Sequence, residues 1–317
     1  MNQKKCVFCN SINVIKKGFQ DNIQRWECKD CHKKFQSNRK ALPEKEELFY
    51  SFTFHKQTYA EISRSYHIKI NKTKELIDNY VLPKKIHNPR IVYLEIDATY
   101  FGTEDNKFCL IVFRDPLLKE NLIWRFVDVE RDIHYLEMKI ELEKLGYIIK
   151  SITADGLPLF RRVIRDIPYQ MCLVHMERII IRGTTKKPKL EAGQALLALA
   201  RSLPRISESR FQDYMNKYTL RYFHFLNERT YSEITGESWY THEKLREAFV
   251  SLQNLSSYLY TYKRDKNISS NTNSIEGTFG NLKKKVKVHN GLSMNRKKRI
   301  IEVMLLNGSG VFAYEKE

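Results

Sequence analysis

Residues 91–102, IVYLEIDATYFG, decide how the rest of the chain is read. Eight of the twelve positions are β-branched, aromatic or leucine, so the stretch reads as a strand. Two acids interrupt it, Glu95 and Asp97. A charge inside an apolar strand is costly unless it has a partner such as a metal ion. Alternate strand residues share a face, so the two acids compete for one role, and Asp97 is the preferred candidate. Two further apolar runs follow short polar turns: KFCLIVFRD at 107–115 and NLIWRFVDVE at 121–130. Residues 131–146 carry apolar side chains at helical spacing, with Ile133, Leu136, Ile140 and Leu145 as the expected inner set. YIIKSITADG (147–156) reads as a fourth strand ending in a turn, and LPLFRRVIRDI (157–167) as a helix. PYQMCLVHME (168–177) reads as a fifth strand running into a helix. Three antiparallel strands, a helix, then strands joined by crossovers is the order of an α/β, RNase H-like core with a mixed five-stranded sheet. In that order the first and fourth strands are neighbours, so Asp97 and Asp155 converge. Hard oxygen ligands placed in this way suit Mg²⁺. Taken singly, each acid also has an ordinary reading: Asp155 as a helix cap, and Glu95 and Asp97 as the solvated face of an edge strand.

Charge points to the partner. The chain of 317 residues carries a formal net charge of +18. Residues 1–90 hold 19 basic against 9 acidic side chains, and residues 261–300 hold 11 against 2. Residues 91–260 are nearly balanced at 24 against 23. Two basic flanks around a neutral middle predict a polyanionic partner, nucleic acid first. The start MNQKKCVFCN has no apolar segment of a secretory kind, and no run approaches the ~18 apolar residues of a membrane span. A reducing, cytoplasmic setting is expected, with the protein close to the bacterial nucleoid.

Four of the six cysteines form two C-x-x-C pairs, Cys6/Cys9 and Cys28/Cys31. Two such knuckles about twenty residues apart match a tetrahedral Cys₄ site holding one structural Zn²⁺. Residues 1–40 are therefore expected to form a zinc ribbon whose folding energy comes mostly from the metal. His32, beside Cys31, is expected at the surface. Residues 43–82 read as three short helices: Leu48, Phe49 and Phe52 stripe the first, and Tyr59, Ile62 and Tyr66 the second. The third is expected to be capped by Asn71 with Leu76, Ile77, Tyr80 and Val81 inward. Lys69, Lys72 and Lys74 lie where the recognition helix of a helix-turn-helix-like module meets DNA. A plain three-helix packing unit is the alternative. LPKKIHNPR (82–90) reads as a linker.

Further along, the motifs EIDATY, TADG, CLVHMER, KPKLEAGQALLALA, SWYTHEKLR and TNSIEGTFGNLK together resemble DDE transposases of the Mutator-like superfamily, in particular those of bacterial insertion sequences. The resemblance covers most of the chain. It implies a catalytic triad of Asp97, Asp155 and Glu276 that holds two Mg²⁺ or Mn²⁺ ions. It also implies a C-x-x-H motif at Cys172 and His175, of open role, and a helical insertion at 186–263 that splits the core into 91–185 and 264–317. Trp239 in that insertion is then a candidate to stack on a displaced DNA base, or else an ordinary core tryptophan. The implied reaction is metal-dependent cleavage and strand transfer at the ends of an element, with terminal inverted repeats and target DNA as partners and at least a dimer at work. A non-catalytic DNA-binding regulator and an RNase H-like nuclease are the alternatives. Around Glu276, Gly277 and Gly280 each cost a helix about 1 kcal/mol relative to alanine, so residues alone suggest a loop. The family pattern makes it a helix, on which Asn273 and Lys283 share the face of Glu276 and are candidates to hold the DNA backbone.

Overall fold

The spacing of the four paired cysteines is the first feature the fold expresses. The computed structural model describes residues 4–20, 23–36, 43–103, 106–156, 166–289 and 291–307, and the chain divides into two units, 1–81 and 82–317. In the first unit, β1 (Val14–Gln20), β2 (Ile23–Cys28) and β3 (Lys34–Gln36) form an antiparallel sheet in that order. Among the described residues its apolar interior amounts to little beyond Cys6, Cys28 and Phe35, with Val14 and Trp26 packed against them. So small a core does not hold a fold on its own. His32 is exposed and in the left-handed region at φ 57°.

Three helices follow: α1 (Lys45–Thr53), α2 (Tyr59–Tyr66) and α3 (Ile70–Asp78). Helix α2 begins in a full capping box, Thr58 with Glu61, and ends on His67 in the left-handed conformation. Three residues separate it from α3. Leu48, Phe49, Phe52, Ile62, Leu76 and Ile77 are buried between the helices. Two sequence expectations shift here. Lys69, not Asn71, occupies the cap of α3, because Ile70 already begins the helix. Val81 is 84% exposed, since the helix ends at Asp78 and the chain no longer follows its stripe.

In the second unit the strand order is β6-β5-β4-β7-β8. Central β4 (Ile91–Phe101) pairs antiparallel with β5 (Phe108–Asp115), which pairs antiparallel with β6 (Glu120–Val127). On its other side β4 runs parallel to β7 (Ile148–Ala154), and β7 parallel to the short β8 (Tyr169–Met171). This is the mixed five-stranded, RNase H-like sheet expected from the sequence. Gly102 makes the turn after β4 feasible: its φ is +93°, and a Cβ there would stand 1.9 Å from the Asn106 carbonyl oxygen. Segment 82–90 is pinned to the sheet rather than free, with Lys85 on Glu120 at 2.6 Å and Arg90 on both Asp115 and Glu120.

The two sheet faces carry different layers. On one, Leu94, Ile96, Ile111 and Phe113 pack with α4 (Asp132–Lys144) and α5 (Leu173–Thr184). The inner set of α4 is Tyr135, Met138 and Leu142. Ile133 and Ile140, expected inside, are exposed at 46% and 40%. The predicted helix at 157–167 falls largely outside the described residues. The helices α6 (Glu191–Ser202), α7 (Glu208–Leu226) and α8 (Glu243–Leu255) form the insertion. It is helical except for one hairpin, β9 (Arg229–Tyr231) with β10 (Ser238–Tyr240), where Gly236 turns the chain. Gly183 lets α5 and α8 approach closely, since a Cβ there would lie 2.5 Å from the Lys244 carbonyl oxygen.

On the opposite sheet face, Phe101, Phe108, Leu110 and Val112 bury Ile275, Phe279 and Leu282 of α9 (Asn273–Val288) and Ile301 and Leu305 of α10 (Met294–Asn307). The glycine-bearing segment is therefore a helix. Its apolar stripe at 275, 279 and 282 outweighs the propensity cost of two glycines.

Candidate active site

Both acids of β4 lie on the face covered by α9, because Glu95 pairs with Arg114 and Asp97 with Val112 across the antiparallel ladder. The parallel register sets Glu95 beside Thr153. Two residues onward on each strand lead to Asp97, within β4, and to Asp155, just past the carboxyl end of β7. Tyr169 donates its hydroxyl to the Asp155 carbonyl, and the Cys172 amide donates to that of Ala154 at 2.8 Å, fixing the turn after β7.

Loop 265–272 crosses these strand ends and delivers α9. Tyr93 donates to Asp265 at 2.6 Å, Thr153 to the Ser269 carbonyl at 2.8 Å, and the Leu173 amide to the Ser270 carbonyl at 3.0 Å. The cap of α9 is divided between two strangers to the helix. Thr272, the cap residue, spends its hydroxyl on Cys172 Sγ at 3.4 Å. Glu95, only 2% exposed, accepts instead from the Ile275 amide at 3.2 Å. A carboxylate at a helix N-terminus meets unpaired amides and the positive end of the dipole. Arg114 supports the same turn, donating to Ser274 Oγ at 2.8 Å and to Asn121 Oδ1 at 2.6 Å. Glu95 is thus the seat of α9, and Glu276 follows one residue after the amide it holds. Burial is the main force raising the Glu95 carboxyl above its usual range.

Asp97 points into the space beside Glu276. Among the described residues, ligand atoms of Asp97, His175 and Glu276 all lie within 4.8 Å of one another. Asp155 is not one of that three, but its charge is felt there. Burial first, then the charges of Asp155, Glu276 and Glu130, push the Asp97 carboxyl up to about 7, against the pull of the Ala98 amide. His175 is held below its ordinary value, mainly by burial, so its imidazole is neutral near pH 7. Its Nδ1 is buried without a hydrogen-bond partner, and its Nε2 lies 3.6 Å from Glu276 Oε1. Two carboxylates and a neutral imidazole whose Nε2 faces one of them fit a divalent cation: an ion would relieve the like charges and take the imidazole nitrogen as a ligand.

Arg178 holds Glu276 with both arms of its guanidinium, at 2.7 and 2.8 Å. It is not among the candidates read from sequence. The signal was available, because Cys172, His175 and Arg178 recur every three residues along one helix edge. Cys172 is fully buried, its thiol raised by burial, and it works as an anchor for the α9 cap.

The remaining candidates are spread out. Trp239 sits on β10 and is 46% exposed, so it is not a core residue. Asn273 and Lys283 are exposed on the same side of α9 as Glu276. Gly277 and Gly280 lie between them, and a Cβ added at either would meet nothing within 4 Å. In the N-terminal unit, Lys69 is exposed at the start of α3. Lys72 pairs with Glu75 at 2.6 Å, and Lys74 lies over the Tyr59 ring at 5.7 Å.

The four N-terminal thiols also converge. Cys6 and Cys31 sulfurs are 3.6 Å apart, as are those of Cys9 and Cys28, and all four fall within 4.8 Å. With Zn–S bonds of about 2.3 Å, the edge of a tetrahedral site is about 3.8 Å. The donor set and its spacing thus fit one Zn²⁺. The thiols share their protons: backbone amides, that of Cys31 foremost, pull the Cys28 thiol down to about 6, while those of Cys9 and Cys31 are pushed up. No described helix is long and apolar enough to cross a membrane.

Comparison with known proteins gives fold-level likenesses only. No family model matches the sequence, and no curated protein matches it. Among solved structures, the catalytic core domain of HTLV-2 integrase in complex with magnesium (trimeric form) is similar at 15% identity and a TM-score of 0.23, over 46% of this chain and 92% of that one. The Drosophila P element transposase in its strand transfer complex is similar at 9% identity and a TM-score of 0.39, over 88% and 94%. The Mos1 transposase paired-end complex is similar at 10% identity and a TM-score of 0.20, over 72% and 81%. Such distant likenesses carry no assignment of activity.

Proposed function

We propose that the chain is a DDE-type DNA transposase that cleaves the ends of a mobile element and joins them to target DNA. The observation that carries this reading is the meeting of Asp97 and Glu276, with Asp155 close enough to perturb Asp97, on one face of an RNase H-like sheet in a chain of net charge +18. The finer assignment to Mutator-like enzymes of bacterial insertion sequences rests on the sequence motifs alone.

Asp97, Asp155 and Glu276 would hold two divalent ions, with His175 as a further donor or as a neutral contact to the scissile phosphate. Bound there, Mg²⁺ or Mn²⁺ supplies activation of a water or 3′-hydroxyl and stabilises the leaving oxygen. The protein's part is to hold those carboxylates rigidly. Glu95 and Arg114 fix the first turn of α9, and Tyr169 and Cys172 fix the turn carrying Asp155. Exposed Asn273 and Lys283 flank Glu276 and would take the DNA backbone. The N-terminal unit, with its Cys₄ site and Lys69, Lys72 and Lys74, would read the terminal repeats, and Trp239 would receive a displaced base. Because two ends must be joined, a homo-oligomer is expected to act.

The test is strand transfer with element-end DNA and Mg²⁺ or Mn²⁺. D97N, D155N and E276Q should each lose product formation by at least a hundredfold while still binding DNA. Undiminished strand transfer by all three would sink the proposal. Binding without metal-dependent cleavage by the wild-type chain would favour the regulator instead.

A further inference from the structure

The helix that carries His175 continues one turn to Arg178, and this arginine occupies the third acid. Its Nη1 stands 2.7 Å from Glu276 Oε1 and its Nη2 2.8 Å from Oε2. The same Nη1 is 3.3 Å from His175 Nε2, and Glu276 Oε1 is 3.6 Å from that nitrogen. The guanidinium therefore contacts two of the three groups whose ligand atoms cluster within 4.8 Å. A cation and this arginine compete for the same oxygens. Arg178 is also placed to leave: its side chain is 50% exposed, against 25% for Glu276 and 20% for His175. Swinging a half-exposed arginine into water disturbs no packed core.

We infer that Arg178 is a displaceable counter-ion, which neutralises Glu276 in the metal-free protein and surrenders the carboxylate when a divalent cation enters. The inference rests on reading Asp97, Asp155 and Glu276 as the metal site. Its physical basis is the crowding of acids at one place. Without an ion, the Asp97 and Glu276 carboxylates lie within 4.8 Å of each other and repel. A bidentate arginine offsets the Glu276 charge and orients the carboxylate. The arrangement carries a penalty, because the entering ion must outcompete an attraction that is partly sheltered from water. Two unit charges about 4 Å apart in a watery setting attract strongly enough to shift an equilibrium about fivefold, and more when partly buried. Removing the arginine should therefore tighten divalent-ion binding by about fivefold or more.

The experiment is titration of the zinc-loaded full chain with Mn²⁺, followed by the electron paramagnetic resonance signal of the free ion. Wild type is compared with R178Q, R178K and E276Q, with circular dichroism to check folding. E276Q should lose the site, R178Q should bind Mn²⁺ at least about fivefold more tightly than wild type, and R178K, which keeps the charge but not the fork, should fall between wild type and R178Q. If E276Q loses Mn²⁺ but R178Q binds no more tightly than wild type, the exchange is overturned while the metal site stands. If E276Q binds Mn²⁺ as wild type does, the site reading itself fails and the inference goes with it. Should R178Q not fold, R178K decides: tighter binding supports the exchange, and equal or weaker binding overturns it.

Discussion

Glu95 and Asp97 are two residues apart on one strand, on one face, and do different work. Glu95 looks along the sheet to the first turn of α9, while Asp97 opens on the cluster with His175 and Glu276. From sequence they were rivals, because strand periodicity reports a face and not a neighbour. Only the register of β4 against β7 and the path of loop 265–272 separate them, and both are tertiary facts. The cost of Asp97 yields a testable consequence. Its carboxyl is raised to about 7, above the ~3.9 of an unfolded aspartate. A group whose folded value is raised favours folding fully below its unfolded value, and that contribution is lost as pH rises through about 7. In metal-free protein D97N should therefore be more stable than wild type at pH 8, by roughly 1–2 kcal/mol after allowing for partial exposure, and the gap should vanish toward pH 4. Thermal melts of both proteins at several pH values measure it. A gap that does not change with pH would remove the electrostatic explanation. Glu95 should behave in the opposite sense: E95A leaves the Ile275 amide unpaired and should cost about 1–3 kcal/mol in urea unfolding. E95Q, which keeps an acceptor there, should cost less and retain more cleavage activity.

Helices α4 and α9 show why elements differ in how legible they are. The apolar residues of α4 are spread around its circumference, so several inner faces fit the pattern, and the one used runs through Tyr135, Met138 and Leu142. Nothing local chooses among them; contact with β5 and β6 does. In α9 the ambiguity lay in two glycines, and the apolar stripe of Ile275, Phe279 and Leu282 resolves it once a sheet is there to cover. The glycines face away from that stripe, beside Glu276, with no neighbouring atom that their missing side chains would accommodate. Close packing among the described residues does not account for them. G277A and G280A should each raise helix stability by up to about 1 kcal/mol. If DNA approaches this face, the same changes should lower strand transfer severalfold with Mn²⁺ binding intact. Melting and transfer assays on the same preparations read both effects. A rise in stability with full transfer activity would mean that the glycine face meets no DNA.

At the scale of the whole molecule, the basic flanks and the Cys₄ site can be tested apart. The cysteine spacing was fully readable because zinc chemistry fixes both ligand type and interval. The basic flanks were readable because charge needs no fold. Whether α2 and α3 read DNA was not, because their spacing suits any three-helix packing. The residues themselves suggest how to find out. Removing thiolates at Cys28 and Cys31 as C28S/C31S takes away no basic side chain, so phosphate attraction, which scales with neutralised phosphates, should persist along with its steep salt dependence. The sheet of β1–β3 should be lost, since its apolar core is only a few residues deep. The unit at 82–317 has its own large core and should melt unchanged. Sequence reading depends on a shaped surface held in register with base edges, so it should fail selectively. The expected result is affinity for element-end DNA falling about tenfold or more, toward that for random DNA, whose binding stays near the wild-type value. Equal losses on both DNAs would mean that the zinc unit contributes general affinity alone, and that recognition of the ends lies in the larger unit.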